Sequence, residues 1–342
     1  MSRVLLFAPN VHTGGGLVLL QELLKAWPAD APLMAWLDRR ASDLLCLPAR
    51  AEVRWAEPSV ISRFAVEWQL ARTASPKDRV LCFHGLPTLL SIRPDVQLFL
   101  QNRNYLGQVP LHEYGWRTRL RNRAEQWISR LWRYRVSCYY VQSPTMARAL
   151  QDWWGKGDAP LVMLPFVADL APAQAVMNRW DFVFVADGEP HKNHRRLVEA
   201  WVLLAREGIR PSLALTLTVR HRQLLEWIET EAACHGLRIS NVPQRSHAEM
   251  STFYASTGAL IFPSMNESFG LPLVEASRVG RPILASERDF VRDVCEPAQT
   301  FDPESAISIA RAVRRHLGLP ESTLALFDAA GFLDRMQGGP PG

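Results

Sequence analysis

Two glutamates, Glu267 and Glu275, stand eight residues apart in the string GALIFPSMNESFGLPLVEASRVGRP, residues 258–282. An apolar run ends at Pro263-Ser264, and a polar loop carries Asn266, Glu267 and Ser268. Phe269-Gly270-Leu271 then opens a helical pattern that contains Glu275. Gly270 permits close backbone approach, and the free N–H groups at a helix start attract phosphate. Eight residues of helix would span about 12 Å. That is enough to place one carboxylate near a sugar and the other near a ribose, with a diphosphate between them. Carboxylates are natural acceptors for paired hydroxyls. On spacing alone, a helix-capping Glu267 with a solvent-facing Glu275 fits equally.

Lys192 is one of only four lysines in a chain with 39 Lys+Arg. It follows the apolar run 181–186 and precedes a helical pattern, where an ammonium can hold phosphate as a point charge or simply be solvated. The triplet Gly14-Gly15-Gly16 follows the apolar run 4–9; it lets backbone approach a ligand, or merely turns the chain. His84 ends the run RVLCFHG, as a hydrogen-bonding or acid–base group or as a histidine satisfied by backbone. Asn102, Arg103 and Asn104 follow the next run. No Asp-x-Asp pair ends a strand, so a diphosphate here is expected to be held without metal, and no cofactor is expected.

The elements that must position these groups alternate in kind. Short apolar runs at 4–9, 79–85, 96–102 and 137–143, then at 180–188, 213–219, 258–264 and 281–286, are separated by helical patterns such as 193–208 and 222–235. Such alternation implies parallel sheets covered on both faces, which bind ligands beyond the carboxyl ends of their strands. Pro160, Pro165 and Pro172 mark a linker over 160–178. Two domains follow, 1–165 and 175–320, with a terminal segment 321–342.

Hydrophobic content of 48% and charged content of 21% fit a globular protein. No run reaches the roughly 18 apolar residues of a membrane span. MSRVLLFAPN reads as a first strand rather than a secretory signal. Five dispersed cysteines, without a CxxC pair, argue against a zinc site or a disulfide framework and favour a cytoplasmic, reducing setting. Residues 1–178 hold 21 Lys+Arg against 14 Asp+Glu, and the remainder 18 against 20. The basic half points to an anionic partner. Within it, Trp116, Leu120, Ala124, Trp127, Leu131 and Tyr134 form one helical stripe among seven arginines. The simplest expectation is a core-facing stripe with the arginines in solvent; the sharper one is contact with an anionic membrane surface or a lipid-linked diphosphate acceptor. Nucleic-acid binding is a poor fit, because no recognised module accompanies the charge.

The string Glu267-Ser-Phe-Gly-Leu-Pro-Leu-Val-Glu275-Ala closely resembles the Glu-x7-Glu signature of retaining glycosyltransferase family four, over roughly residues 180–315. The resemblance implies an α/β protein of the GT-B type: two Rossmann-like, doubly wound domains facing an interdomain cleft. It implies a donor nucleotide sugar held by Lys192, Glu275, Ser268, Phe269, Gly270 and Leu271, with Gly15 and Gly16 facing it. Glu267 and His84 would serve the chemistry, and Asn102 and Arg103 the acceptor side. Two departures stand out. Ala186 occupies the place of a frequent arginine, whose role His191 or Arg195 would take, and a histidine is absent near Asn102. Gln244 and Arg245 lie where the base is often held, and 321–342 is expected to pack back on the N-terminal domain. The implied reaction moves a hexosyl unit from a UDP- or GDP-sugar to a glycan or lipid-linked acceptor in surface polysaccharide biosynthesis, at the inner face of the cytoplasmic membrane. An epimerase or phosphorylase on the same scaffold, or a non-catalytic sugar-nucleotide-binding assembly protein, are the rival expectations.

Overall fold

The computed structural model describes residues 3–107, 111, 114–155, 159–170, 172, 177–242, 245–319 and 328–329. Gln244 and the proposed back-packing of 321–342 therefore lie outside the described residues, apart from 328 and 329.

The first unit runs β1 (Val4–Ala8), α1 (Gly14–Lys25), β2 (Leu33–Asp38), β3 (Ala51–Ala56), α2 (Val60–Thr73), β4 (Arg79–Cys82), β5 (Asp95–Phe99), α3 (Trp116–Leu131), β6 (Val136–Val141), α4 (Pro144–Trp154) and β7 (Leu161–Met163). The second runs β8 (Trp180–Phe184), α5 (His194–Arg206), β9 (Leu213–Leu215), α6 (Arg222–His235), β10 (Ile239–Asn241), α7 (His247–Ala255), β11 (Thr257–Phe262), α8 (Leu271–Arg278), β12 (Ile283–Ser286), α9 (Asp289–Arg292), β13 (Gln299–Phe301) and α10 (Ala306–His316). The first sheet has the order β3-β2-β1-β4-β5-β6-β7 and the second β10-β9-β8-β11-β12-β13. Their strand pairs are parallel. Central strands such as Leu5–Ala8 and Ala259–Phe262 are buried apolar runs because helices cover both faces.

This topology selects the site. Strand order reverses between β1 and β4 in the first sheet and between β8 and β11 in the second. Such switch points open a crevice at the carboxyl ends of the strands. Gly15 and Gly16 follow β1, His84 follows β4, Lys192 follows β8 and Glu267 follows β11.

Three sequence expectations change. The segment 160–178 is not purely linker, since β7 adds Leu161–Met163 to the edge of the first sheet. The glycine triplet is not a turn separate from the elements around it but forms the first turn of α1, with Gly14 at φ 65°. The stripe on α3 is not core-facing. Trp116, Leu120 and Trp127 are each 65% exposed and Tyr134 75%. The side turned inward is polar: Asn122, Gln126 and Ser129 are buried. Gln126 Nε2 donates to the Asn104 carbonyl at 2.9 Å and Ser129 Oγ to that of Tyr105 at 2.8 Å. The inner polar groups thus meet carbonyls of the loop after β5, and the apolar side is left outside.

Candidate active site

A cleft of about 950 Å³ lies between the two sheets. Its C-terminal wall is organised by the signature loop between β11 and α8. Gly270 sits at φ 81° as the residue before α8, a conformation that glycine adopts without a Cβ penalty. No side chain caps α8. Across the cleft α1 likewise starts without a side-chain cap. The two starts approach so closely that a Cβ on Gly15 would lie 2.9 Å from Leu271 Cδ1. Two helix N-termini, with their positive dipole ends, therefore face the cleft together, although at α8 Pro272 has no N–H and that of Leu273 donates to the Gly270 carbonyl at 2.9 Å.

Lys192 ends a 3-10 turn, Pro190–Lys192, after β8. Asn193 follows at φ 67°, the one non-glycine positive φ among the described residues. Its side chain explains that backbone: Nδ2 donates to the Pro263 carbonyl at 3.1 Å and to that of Pro303 at 2.7 Å. Met265 N–H donates to the His191 carbonyl at 2.8 Å. The lysine turn and the glutamate loop are thus fastened to each other. Lys192 Nζ donates to Glu267 Oε1 at 2.7 Å, with side chains only 16% and 10% exposed. Burial opposes the charge on Lys192, but Glu267 and Asp187 outweigh it and hold the ammonium above its ordinary value.

Glu275 lies on the first turns of α8 and lines the same cleft. It accepts from Tyr254 Oη at 2.8 Å, and His247 Nδ1 stands 3.9 Å away. Burial raises its pKa, while Tyr254 and His247 oppose the rise. Ser268, Phe269, Gly270 and Leu271 all line the cleft. The Ser268 carbonyl accepts from Ser143 Oγ of the other unit at 3.1 Å, so the loop is also braced across the divide.

On the N-terminal wall the placements are mixed. Gly15, Gly16 and Asn102 line the cleft. Arg103 does not; it is half-buried towards Arg148 and Asp289, and burial lowers its pKa. His84 lines the wall with both ring nitrogens engaged: Arg63 approaches Nε2 at 2.8 Å, and Nδ1 lies 3.3 Å from the Phe7 carbonyl. Burial, then Arg63, keep its pKa well below the ordinary value. As placed, His84 is an uncharged strut rather than a free acid or base.

The substitutes considered for Ala186 are occupied elsewhere. His191 Nδ1 pairs with Tyr114 Oη at 2.9 Å, and Arg195 stacks 4.5 Å over Trp227. The guanidiniums that line the cleft are Arg220 and Arg245. Arg220 and its neighbour His221 escaped the sequence reading, although they follow β9 at the carboxyl edge where ligands gather.

Residues 169–330 match the family described as glycosyl transferases group 1. The serotype-specific mannosyltransferase WbdA of Escherichia coli is 31% identical over 152 residues, 41% of this chain and 17% of that protein. The chain thus matches only a small part of that relative's length. Among solved structures, HepE of Anabaena in complex with UDP and glucose is similar at TM-score 0.67 and 16% identity, covering 93% of this chain and 90% of that one. Sucrose-phosphate synthase of Thermosynechococcus elongatus is similar at TM-score 0.67 and 15% identity, with the same coverage. Identities this low speak for the fold alone. The family match falls on the part of the chain that holds Lys192, Glu267 and Glu275, and the chain has the two-domain GT-B fold, with residues 169–330 similar to the glycosyl transferases group 1.

Proposed function

We propose that the protein is a retaining glycosyltransferase that moves a hexosyl unit from a UDP- or GDP-sugar to a hydroxyl of a glycan or lipid-linked acceptor in surface polysaccharide biosynthesis. One observation carries this: Lys192 and two uncapped helix N-termini converge on the cleft that also holds Glu267 and Glu275. Cation and N–H groups suit a diphosphate, and carboxylates suit hydroxyls on either side of it. Glu275, steadied by Tyr254, is the ribose ligand. Glu267 faces the transferred sugar, and Asn102 the acceptor. The mannosyltransferase WbdA of Escherichia coli, to which part of this chain is similar, makes mannose the first hexose to try.

In the proposed step the bond from the anomeric carbon to the diphosphate oxygen breaks, and a bond to the acceptor oxygen forms on the same face. The acceptor proton passes to the departing diphosphate. The protein positions the reactants and stabilises charge, with Lys192 and the N–H groups bearing the leaving group without a divalent cation. The place of action is the cytoplasmic side of a membrane, through peripheral contact. Incubation of the purified protein with GDP-mannose or UDP-glucose, an oligosaccharide acceptor and EDTA tests the proposal. Transfer with the donor's anomeric configuration kept is expected. Inverted product, or epimerised or phosphorolysed sugar instead of transfer, overturns it.

A further inference from the structure

The outward side of α3 does not stand alone. On α2, Val60 is 73% exposed, Ile61 83% and Trp68 55%, with Phe64 between them at 47%. A single turn of chain, residues 88–90, ties the two helices together. Glu67 of α2 is fully buried and accepts from the N–H groups of Leu89 and Leu90 at 2.8 and 3.0 Å. Just past α3, Trp132 Nε1 and Arg135 donate to the Leu89 carbonyl. Two neighbouring helices thus present apolar side chains to the outside from the same unit.

The charge on this face is one-sided. Residues 116–135 hold seven arginines and one acidic residue, Glu125. At 3.6 residues per turn, Arg117 and Arg121 flank the α3 stripe on one side and Arg119, Arg123 and Arg130 on the other. Several guanidiniums lie over aromatic rings: Arg72 over Trp68 at 4.7 Å, Arg117 over Trp116 at 5.2 Å and Arg130 over Trp153 at 5.3 Å. Beside the end of α3 is a second cavity, about 520 Å³, lined among others by Trp127, Leu131, Tyr134 and Trp153 together with Arg130 and Arg133. Its walls pair an apolar surface with guanidiniums. Apolar and aromatic side chains bounded by arginines match the boundary between acyl chains and anionic headgroups.

We infer that the α2–α3 face docks on an anionic bilayer, with the cavity beside Trp153 seating one phospholipid by its phosphate and the start of its acyl chains. The other end of α3 sets the consequence. Tyr114, just before the helix, bonds His191, the neighbour in sequence of the cleft residue Lys192, so docking along α3 brings the cleft towards the bilayer. The inference deepens the proposed use of a lipid-linked acceptor, but its surface is separate from the donor site.

The test is co-sedimentation of the full chain, without donor, with vesicles of phosphatidylcholine alone or mixed with phosphatidylglycerol. Wild type is expected to sediment with the mixed vesicles at low salt, to be released by added salt, and to ignore the neutral ones. Arg117→Glu, Arg123→Glu and Arg130→Glu together are expected to weaken partitioning by about a hundredfold or more. Trp116→Ala with Trp127→Ala is expected to weaken it by about tenfold or more, through lost apolar insertion. Cooperative melting at the wild-type temperature shows that each variant is folded. Three results overturn the inference: wild type that stays in the supernatant with both vesicle types, folded variants that bind as wild type does, or dimerisation abolished by the tryptophan pair without vesicle binding. The last makes a second copy the occupant. Donor binding by calorimetry in vesicle-free buffer tests the transferase proposal separately.

Discussion

Lys192 Nζ donates to Glu267 Oε1 at 2.7 Å, joining the residue after β8 to the residue after β11. The cation proposed for the diphosphate and the carboxylate proposed for the sugar are partners before any donor arrives. Removing one member leaves the other charged, buried and unpaired. Lys192→Met should therefore destabilise the fold by about 3–5 kcal/mol and abolish measurable donor binding. Lys192→Met with Glu267→Leu should recover much of the stability and none of the binding. Urea denaturation and donor calorimetry on the three proteins check this. Equal destabilisation in the single and double variants would show that the pair is not coupled.

His194 should make the fold acid-sensitive. It is 3% exposed beside Phe184, ring centroids 4.6 Å apart, and neither ring nitrogen has a partner. Burial pulls its pKa down to about 3. The folded state resists protonation that the unfolded chain accepts near 6.5, so the contribution is present above that pH and is lost as pH falls towards 3. His194→Leu should flatten the loss of urea stability between about pH 7 and pH 5. A slope unchanged in the variant would assign the sensitivity to other groups, such as His84, whose pKa is also lowered by burial and Arg63.

Gly270 should tolerate no side chain. At φ 81°, its added Cβ would also meet Leu273 Cδ1 at 2.9 Å. Gly270→Ala is expected to cost about 1–3 kcal/mol in backbone strain and to shift the N-terminus of α8. Thermal melting and donor calorimetry should both register the change. A variant with wild-type melting would mean that the turn relaxes freely.

The legible parts of the molecule were those encoded locally. The buried runs of β1, β8 and β11 read as parallel strands because both faces are covered, and the switch-point rule then places Lys192 and Glu267 on one edge. β2 and β3 were not read. β3, AEVRWA, mixes charged and apolar residues at the sheet edge, and its register comes from pairing with β2 rather than from its own pattern. For α3, periodicity revealed a stripe but could not say which side faces inward. That choice was made by the Asn104 and Tyr105 carbonyls, which are remote in sequence and offer partners to Gln126 and Ser129. Arg220 lacked any local pattern; only its place after β9 marks it.

The two glutamates should separate by kinetics and, more unusually, by stability. Glu275, as a ribose ligand, would act alike in ground and transition states, so Glu275→Gln should chiefly raise KM. Glu267 beside the anomeric carbon would act more strongly as positive charge develops there, so Glu267→Gln should chiefly lower kcat. Stability adds a second axis for Glu275. Burial raises its pKa above 4.5, so between that value and the raised one the folded state holds a proton that the unfolded chain has released. Stability therefore falls as pH rises through this window, and the cost persists at neutral pH. Glu275→Gln removes the buried charge while keeping an acceptor for Tyr254 Oη. At pH 7 the variant should melt above wild type, by about 2–4 °C for each kcal/mol recovered, and the difference should vanish in acid. A stabilised protein with weakened donor binding would mark Glu275 as a buried charge retained for a ligand. Melting below wild type at pH 7, with donor affinity unchanged, would make it a structural partner of Tyr254 instead.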